Sequence, residues 1–162
     1  MELENIIYEE QQKTHLIVVL VFILVAVFLL FIVFSPATFG QSILPQHTKI
    51  TLLMVTVVDL ILFWSFFRLT IKLTNKYLQI GFGLFKKKIL LTDISDCLVE
   101  DYQKSVYLGY GIRFGRDKSV GYIARGGRGV RLKLKPRDYF FTSDNPEQIA
   151  VLLKQQISQI HR

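Results

Sequence analysis

The chain has 162 residues, 51% of them hydrophobic, and a formal net charge of +7; this is enough for one ordinary domain and too apolar for a disordered chain. Its single cysteine, Cys97, excludes an intrachain disulfide and fits a reducing compartment. His15, His47 and His161 share no spacing with it or with each other, so neither a metal ligand set nor a nucleophilic triad is expected, and with them no enzyme activity and no cofactor.

The first thirteen residues, MELENIIYEEQQK, carry four acids and one lysine and read as a cytoplasmic N-terminal tail (1–13). Leu16–Phe34 follows, nineteen residues without a charge or a hydroxyl. At roughly 1.5 Å per residue this is about 28 Å of helix, close to the ~30 Å hydrocarbon core of a bilayer. A cleaved signal peptide needs a positive front and a shorter apolar core, so a permanent span is the better reading. A second apolar run covers 50–67. Together they predict a transmembrane helical hairpin over 14–73, with spans at about 15–34 and 50–69.

Asp59 stands near the centre of the second span. A charge at mid-span costs about 2.5–3.5 kcal/mol on insertion scales and normally faces protein. Thr56 lies three residues back on the same helical face, and the first span offers no cation. Asp59 and Thr56 therefore suggest a helix–helix interface, homo-oligomeric or with another protein; a protonated Asp59 and a proton path are the alternatives. Around the spans, the connector contributes only Lys49, whereas Arg68, Lys72, Lys76 and Lys86 to Lys88 follow the second one. The positive-inside rule then puts both termini in the cytoplasm.

Past the second span, short β-type runs are separated by turn residues: 76–82, 85–91, 94–101, 111–116, 120–124, 130–135 and 139–142. Seven strands at this spacing predict a small antiparallel barrel within 74–162. The chain closes with a helix in which Pro146 suits the first turn, and Ile149, Leu152, Leu153, Ile157 and Ile160 form one apolar face. From Ile71 onward seventeen Lys and Arg stand against eight acids, so a tethered domain of this charge is drawn to an anionic leaflet.

The stretch GYGIRFGRDKSVGYIARGGRGVRLKLK (109–135) holds the densest glycine and charge. Neither glycine cluster ends in Gly-Lys-Ser or Gly-Lys-Thr before a helix, so it is no phosphate loop. The single Arg125-Gly126-Gly127-Arg128 sits between period-two runs and reads as a hairpin turn rather than a nucleic-acid arm, so no nucleic-acid partner is expected. Alternation puts Val130, Leu132 and Leu134 on one face and Arg131, Lys133 and Lys135 on the other, with Arg113 opposing Ile112 and Phe114. Asp93, Asp96, Glu100 and Asp101 are expected to be solvated and to pair locally with Lys86 to Lys88.

Leu108-Gly109-Tyr110-Gly111-Ile112-Arg113, Gly121-Tyr122, Gly127-Arg128-Gly129-Val130 with Leu132 and Leu134, and the lead-in TSDNPE (142–147) carry a resemblance. On these residues the chain resembles small prokaryotic membrane proteins with a two-helix anchor followed by a bacterial pleckstrin-homology domain. It departs from them in having Tyr110 where Trp is common, and Thr92-Asp93-Ile94 where Trp often precedes the acid. The resemblance implies a seven-stranded barrel capped by the C-terminal helix, in an α+β domain at the inner membrane. It implies an interaction or scaffolding module for a protein partner or a second copy.

In such domains the first hairpin contacts lipids. Here that hairpin is IGFGLFKKKIL, with Phe82, Leu84 and Phe85 as an apolar tip and Lys86, Lys87 and Lys88 for headgroup phosphates. Arg113, Arg131 and Lys133 would extend the surface. An anionic-lipid sensor is thus the second reading, and an accessory subunit of a transport or secretion assembly, recruited through Asp59, the third. A lysine-protected edge strand would have the same sequence as the lipid-contacting one.

Overall fold

The computed structural model describes residues 5–34 and 45–160. Connector residues 35–44, used in the orientation argument, and His161 lie outside the described residues. The chain divides into two compact units, one of Leu16–Ser65 and one built from the segments before and after it.

The first unit is two helices, α1 (Leu16–Phe34) and α2 (Gln46–Phe66). Both are long and apolar enough to cross a membrane, and most of their side chains are exposed, Trp64 at 81%. The rings of Phe22 and Phe63 meet edge-on with centroids 6.0 Å apart, while Ala26, Val33 and Thr56 are buried.

Among the described residues the second unit holds nine strands and two further α-helices. In one sheet β1 (Ile6–Lys13), β2 (Arg68–Thr74), β3 (Tyr77–Phe82) and β4 (Phe85–Leu90) lie in sequence order, all antiparallel. The other sheet contains β5 (Ile94–Asp101), β6 (Gly111–Phe114), β7 (Val120–Ile123), β8 (Arg128–Leu134) and β9 (Tyr139–Thr142), in the order β5-β8-β9-β7-β6. Only β7 and β9 run parallel. A one-turn helix, α3 (Lys104–Tyr107), precedes β6, and α4 (Pro146–Ile160) ends the described chain. Period-two alternation sends Leu69, Ile71 and Leu73 of β2 inward with Leu78, Ile80 and Phe82 of β3, where they join Val130, Leu132 and Phe141. Ile149 and Leu153 of α4 complete this core.

The α+β class and the two apolar helices are as expected, and all seven expected strands form. The seven-stranded barrel is not what forms: there are two sheets of four and five strands. The two additional strands flank the helical unit. The segment expected to be a tail holds β1, whose acid-rich sequence hides a strand that pairs with β2 at Ile6 and from Tyr8 to Lys13, with a bulge at Ile7. β2 follows one residue after α2, so its alternation merges with the apolar run before it. The expected boundary at 73/74 consequently falls inside β2, before its last residue. The turn at Gly126 and Gly127 also joins no hairpin, because β9 inserts between β7 and β8.

β1 is fastened on both sides. Lys13 pairs with Arg68, the Thr14 amide donates to the Phe67 carbonyl at 3.1 Å, and the Thr14 hydroxyl donates to the Phe66 carbonyl at 2.6 Å. Gln12, 2% exposed, donates to Asp144 at 2.9 Å and accepts from the Thr142 hydroxyl at 3.0 Å. Glu10 accepts from the Asp144 amide, the Ser143 hydroxyl and the Tyr8 hydroxyl at 2.6, 2.7 and 2.6 Å. Burial, reinforced by the bond to Glu10, pushes the Tyr8 phenol up to about 12. Replacing 16–65 by a short Asn-Gly turn between His15 and Phe66 is expected to give a soluble domain with a cooperative thermal melt by circular dichroism. A piece beginning at Asn75 lacks two of the four strands and is expected to aggregate. A non-cooperative melt of the turn-closed chain would refute this account of the domain.

Candidate functional site

The β3–β4 hairpin is built for a sharp tip. Phe82 pairs with Phe85, leaving Gly83 and Leu84 as a two-residue turn in which Gly83 takes φ +43°. At Gly81 a Cβ would collide with the Phe85 carbonyl oxygen, so only glycine permits this strand approach. Leu84 is 77% exposed and Phe85 45%. Phe82, expected in the same apolar tip, is instead fully buried against the Phe66 ring, 5.6 Å away, because its parity on β3 faces the core. Leu69 pairs with Phe82 and Lys13 with Arg68. The tip therefore lies at the sheet end where β1 and β2 continue into the helices.

Lys86, Lys87 and Lys88 are all exposed on β4, the edge of its sheet. Lys87 shares the core-facing side with buried Ile89; Lys86 and Lys88 take the other side, and Lys88 Nζ stands 4.5 Å from the centre of the Tyr77 ring. The expected pairing of these lysines with the acidic strand is not what forms. Glu100 and Asp101 bind arginines of β8.

Of the other lipid candidates, Arg113 and Lys133 lie on β6 and β8 of the second sheet rather than on the hairpin; Arg113 Nε donates to the Tyr110 carbonyl at 2.8 Å. Arg131 is 13% exposed and committed to acids, Nε to Glu100 at 2.8 Å and Nη1 to Asp117 at 2.9 Å. Burial alone would raise the Asp117 carboxyl. Bonds from the Ser119 hydroxyl and amide and from Arg131 outweigh it and hold the group below the ordinary carboxylate value. The Ser119 hydroxyl also meets the buried Tyr107 hydroxyl at 2.8 Å.

A cleft of about 280 Å³ opens between β4 and the turn joining β8 to β9. Lys87, Lys88, Lys135 and Arg137 line it with Tyr139 and one acid, Asp93. Arg125 pairs with Asp144, Arg128 with Glu147 and Arg131 with Glu100 and Asp117. Among the described residues none of the four cleft cations is in an ion pair. Arg137 escaped sequence reading because nothing local links it to the lysine run; only the packing of β4 beside the β8–β9 turn does. Among the described residues no three of His, Cys, Asp and Glu are grouped to hold a metal ion. Cys97 is buried, its thiol pushed up by that burial.

In α2 the Thr56 hydroxyl donates to the Leu52 carbonyl at 2.9 Å, a bond within its own helix rather than to Asp59. Asp59 Oδ2 is buried with no hydrogen-bond partner among the described residues. One helical turn from the Phe22–Phe63 contact in each chain direction sets Ala26 level with Asp59.

Compared with known proteins, the chain matches no protein-family model, no curated protein and no solved structure.

Two outcomes follow from these placements. Asp59→Leu is expected to favour insertion of α2 by about 2.5–3.5 kcal/mol in a translocon insertion assay, and an unchanged insertion equilibrium would mean the carboxylate has a partner in the membrane. Arg131→Met, which orphans two partly buried carboxylates, is expected to cost about 1.5–3 kcal/mol. Asp117 is depressed in the fold, so its contribution is present above the unfolded carboxylate value and lost as pH falls through the folded one. Melts in micelles across acidic pH should therefore be flatter for Arg131→Met than for the native chain; parallel curves would contradict the assignment.

Proposed function

We propose that this chain is a non-enzymatic, two-span protein of a prokaryotic inner membrane whose pleckstrin-homology-like β unit rests on its own membrane and engages anionic headgroups. The observation that carries this reading is the hairpin tip: Leu84 and Phe85 are exposed at the sheet end that continues into both helices, and three exposed lysines follow. Lys13 is three residues from Leu16, so at about 3.3–3.6 Å per residue the end of β1 lies within roughly 10 Å of the start of α1. An apolar tip at that end is within reach of the bilayer interface. Burying a Leu-sized side chain stabilises by about 1.5–3 kcal/mol, and each lysine near an anionic leaflet adds about 1 kcal/mol.

The cytoplasmic side is supported by Lys13, Arg68, Lys72 and Lys76 beside the helices. The β1–β2 pairing supports an even number of crossings, since paired strands share one side of any membrane. A second reading, a scaffold for a protein partner or a second copy, is favoured by β4, whose outer side has no strand beside it among the described residues.

The test is the depth of a nitroxide at Leu84→Cys in the full chain, in nanodiscs of phosphatidylcholine with and without phosphatidylglycerol. Buried Cys97 should remain unlabelled. Collision rates with oxygen and with a water-soluble nickel chelate are expected to report a lipid environment at Leu84→Cys and water at Gln148→Cys. Changing Lys86, Lys87 and Lys88 to Ala should shift the first toward water, most strongly with phosphatidylglycerol present. An aqueous label at Leu84→Cys in both compositions would end the proposal.

A further inference from the structure

We infer that the cleft between β4 and the β8–β9 turn is a binding site for a phosphate-bearing small anion, a phosphomonoester or pyrophosphate group. The first argument is charge. The unit matches Arg125, Arg128 and Arg131 to carboxylates, yet gathers Lys87, Lys88, Lys135 and Arg137 around one carboxylate, Asp93. The Lys88 ammonium stands over the Tyr77 ring on the other side of β4, so Lys87, Lys135 and Arg137 against Asp93 leave two positive charges uncompensated. A phosphomonoester brings about −1.5 to −2, and a pyrophosphate more, which relieves the mutual repulsion.

The second argument is placement. Lys87 occupies the core-facing side of an edge strand, two residues before buried Ile89, and lines the same cleft as residues 134–137. Arg137 is steadied by the Phe114 ring, 5.9 Å from its guanidinium carbon, and its planar fork suits two phosphate oxygens at once. Tyr139 also lines the cleft.

The third argument is size. About 280 Å³ lies at the low end of small-molecule sites, ~300–1,000 Å³, and holds a compact anionic group rather than a length of peptide. The same chemistry comes from a lipid headgroup with a terminal phosphate or from a free phosphate compound. The site shares Lys87 and Lys88 with the membrane contact proposed above, but Lys135 and Arg137 lie outside that hairpin, so the two ideas fail separately.

The test is calorimetric titration of the full chain in non-ionic detergent with inorganic pyrophosphate and, separately, with short-chain phosphatidic acid. Native chain is expected to bind at least one probe, and Lys135→Ala with Arg137→Ala to weaken it about tenfold or more. Lys104→Ala, an exposed cation outside the cleft and outside the hairpin, should leave it unchanged, and Arg137→Lys should fall between, having lost the fork and kept the charge. Binding of pyrophosphate assigns a soluble source, and binding of phosphatidic acid alone assigns the lipid. No binding of either probe, or binding that survives the double change, overturns the inference. The depth of the Leu84→Cys label should not respond to the double change.

Discussion

The β unit depends on one strand pairing made across a long insertion. β1 and β2 lie side by side from Ile6 and Thr74 to Lys13 and Arg68, although both helices separate them in sequence. Closing so long a loop carries an entropic cost, rising slowly with loop length. What offsets it is visible at β1: a ladder to β2 interrupted only at Ile7, apolar packing by Ile7 and Tyr8, and the polar links from Glu10 and Gln12 to the end of β9 and the segment before α4. β1 thus ties the first sheet to the second as well as extending it. Without β1 the row Leu69, Ile71 and Leu73 would sit on an edge strand.

The same economy governs the charges. Three arginines are spent on fixing the second sheet and the start of α4, each on a carboxylate brought from another element. Arg131 is the most enclosed of them, and its two acids come from β5 and from the turn before β7. These pairs account for much of the acid in the domain. Among the described residues, Lys86 to Lys88 on β4 and Lys135 and Arg137 at the β8–β9 turn form no ion pair. Net charge alone describes an attraction to anionic surfaces; the pairing pattern says where on the domain that attraction acts.

How much of this was legible in the sequence depends on the range of the signal. Alternation and turn residues are local, so seven strands, α4 and both apolar helices were readable. β2 was masked because its Leu69, Ile71 and Leu73 follow a span without a break, and β1 because Tyr8, Glu9, Glu10, Gln11 and Gln12 carry little apolar alternation. Their pairing is a non-local fact. Sheet order was equally hidden, since nothing near Gly126 and Gly127 announces that β9 will come between the flanking strands. Among candidate residues, parity decided Phe82, whose burial follows from its register with Leu69. Arg131 shared an outward face with Lys133 by alternation, but the acids that claim it arrive from elsewhere in the fold.

The lysines of β4 admit two physical explanations, and the cleft separates them. A bare edge strand invites pairing with another chain, and charges on it, inward-pointing ones included, prevent this. Edge protection is thus sufficient for Lys86 and Lys88 on one side and even for Lys87 on the other. It does not reach Lys135 or Arg137, which belong to a connection with no edge to guard. Both line the cleft with Lys87, where like charges repel and Asp93 is the one acid among the lining residues. A surface that only had to stay soluble would separate them or give them the acids that Arg125, Arg128 and Arg131 received. An anion bound between them would offset that repulsion, a role that edge protection does not fill.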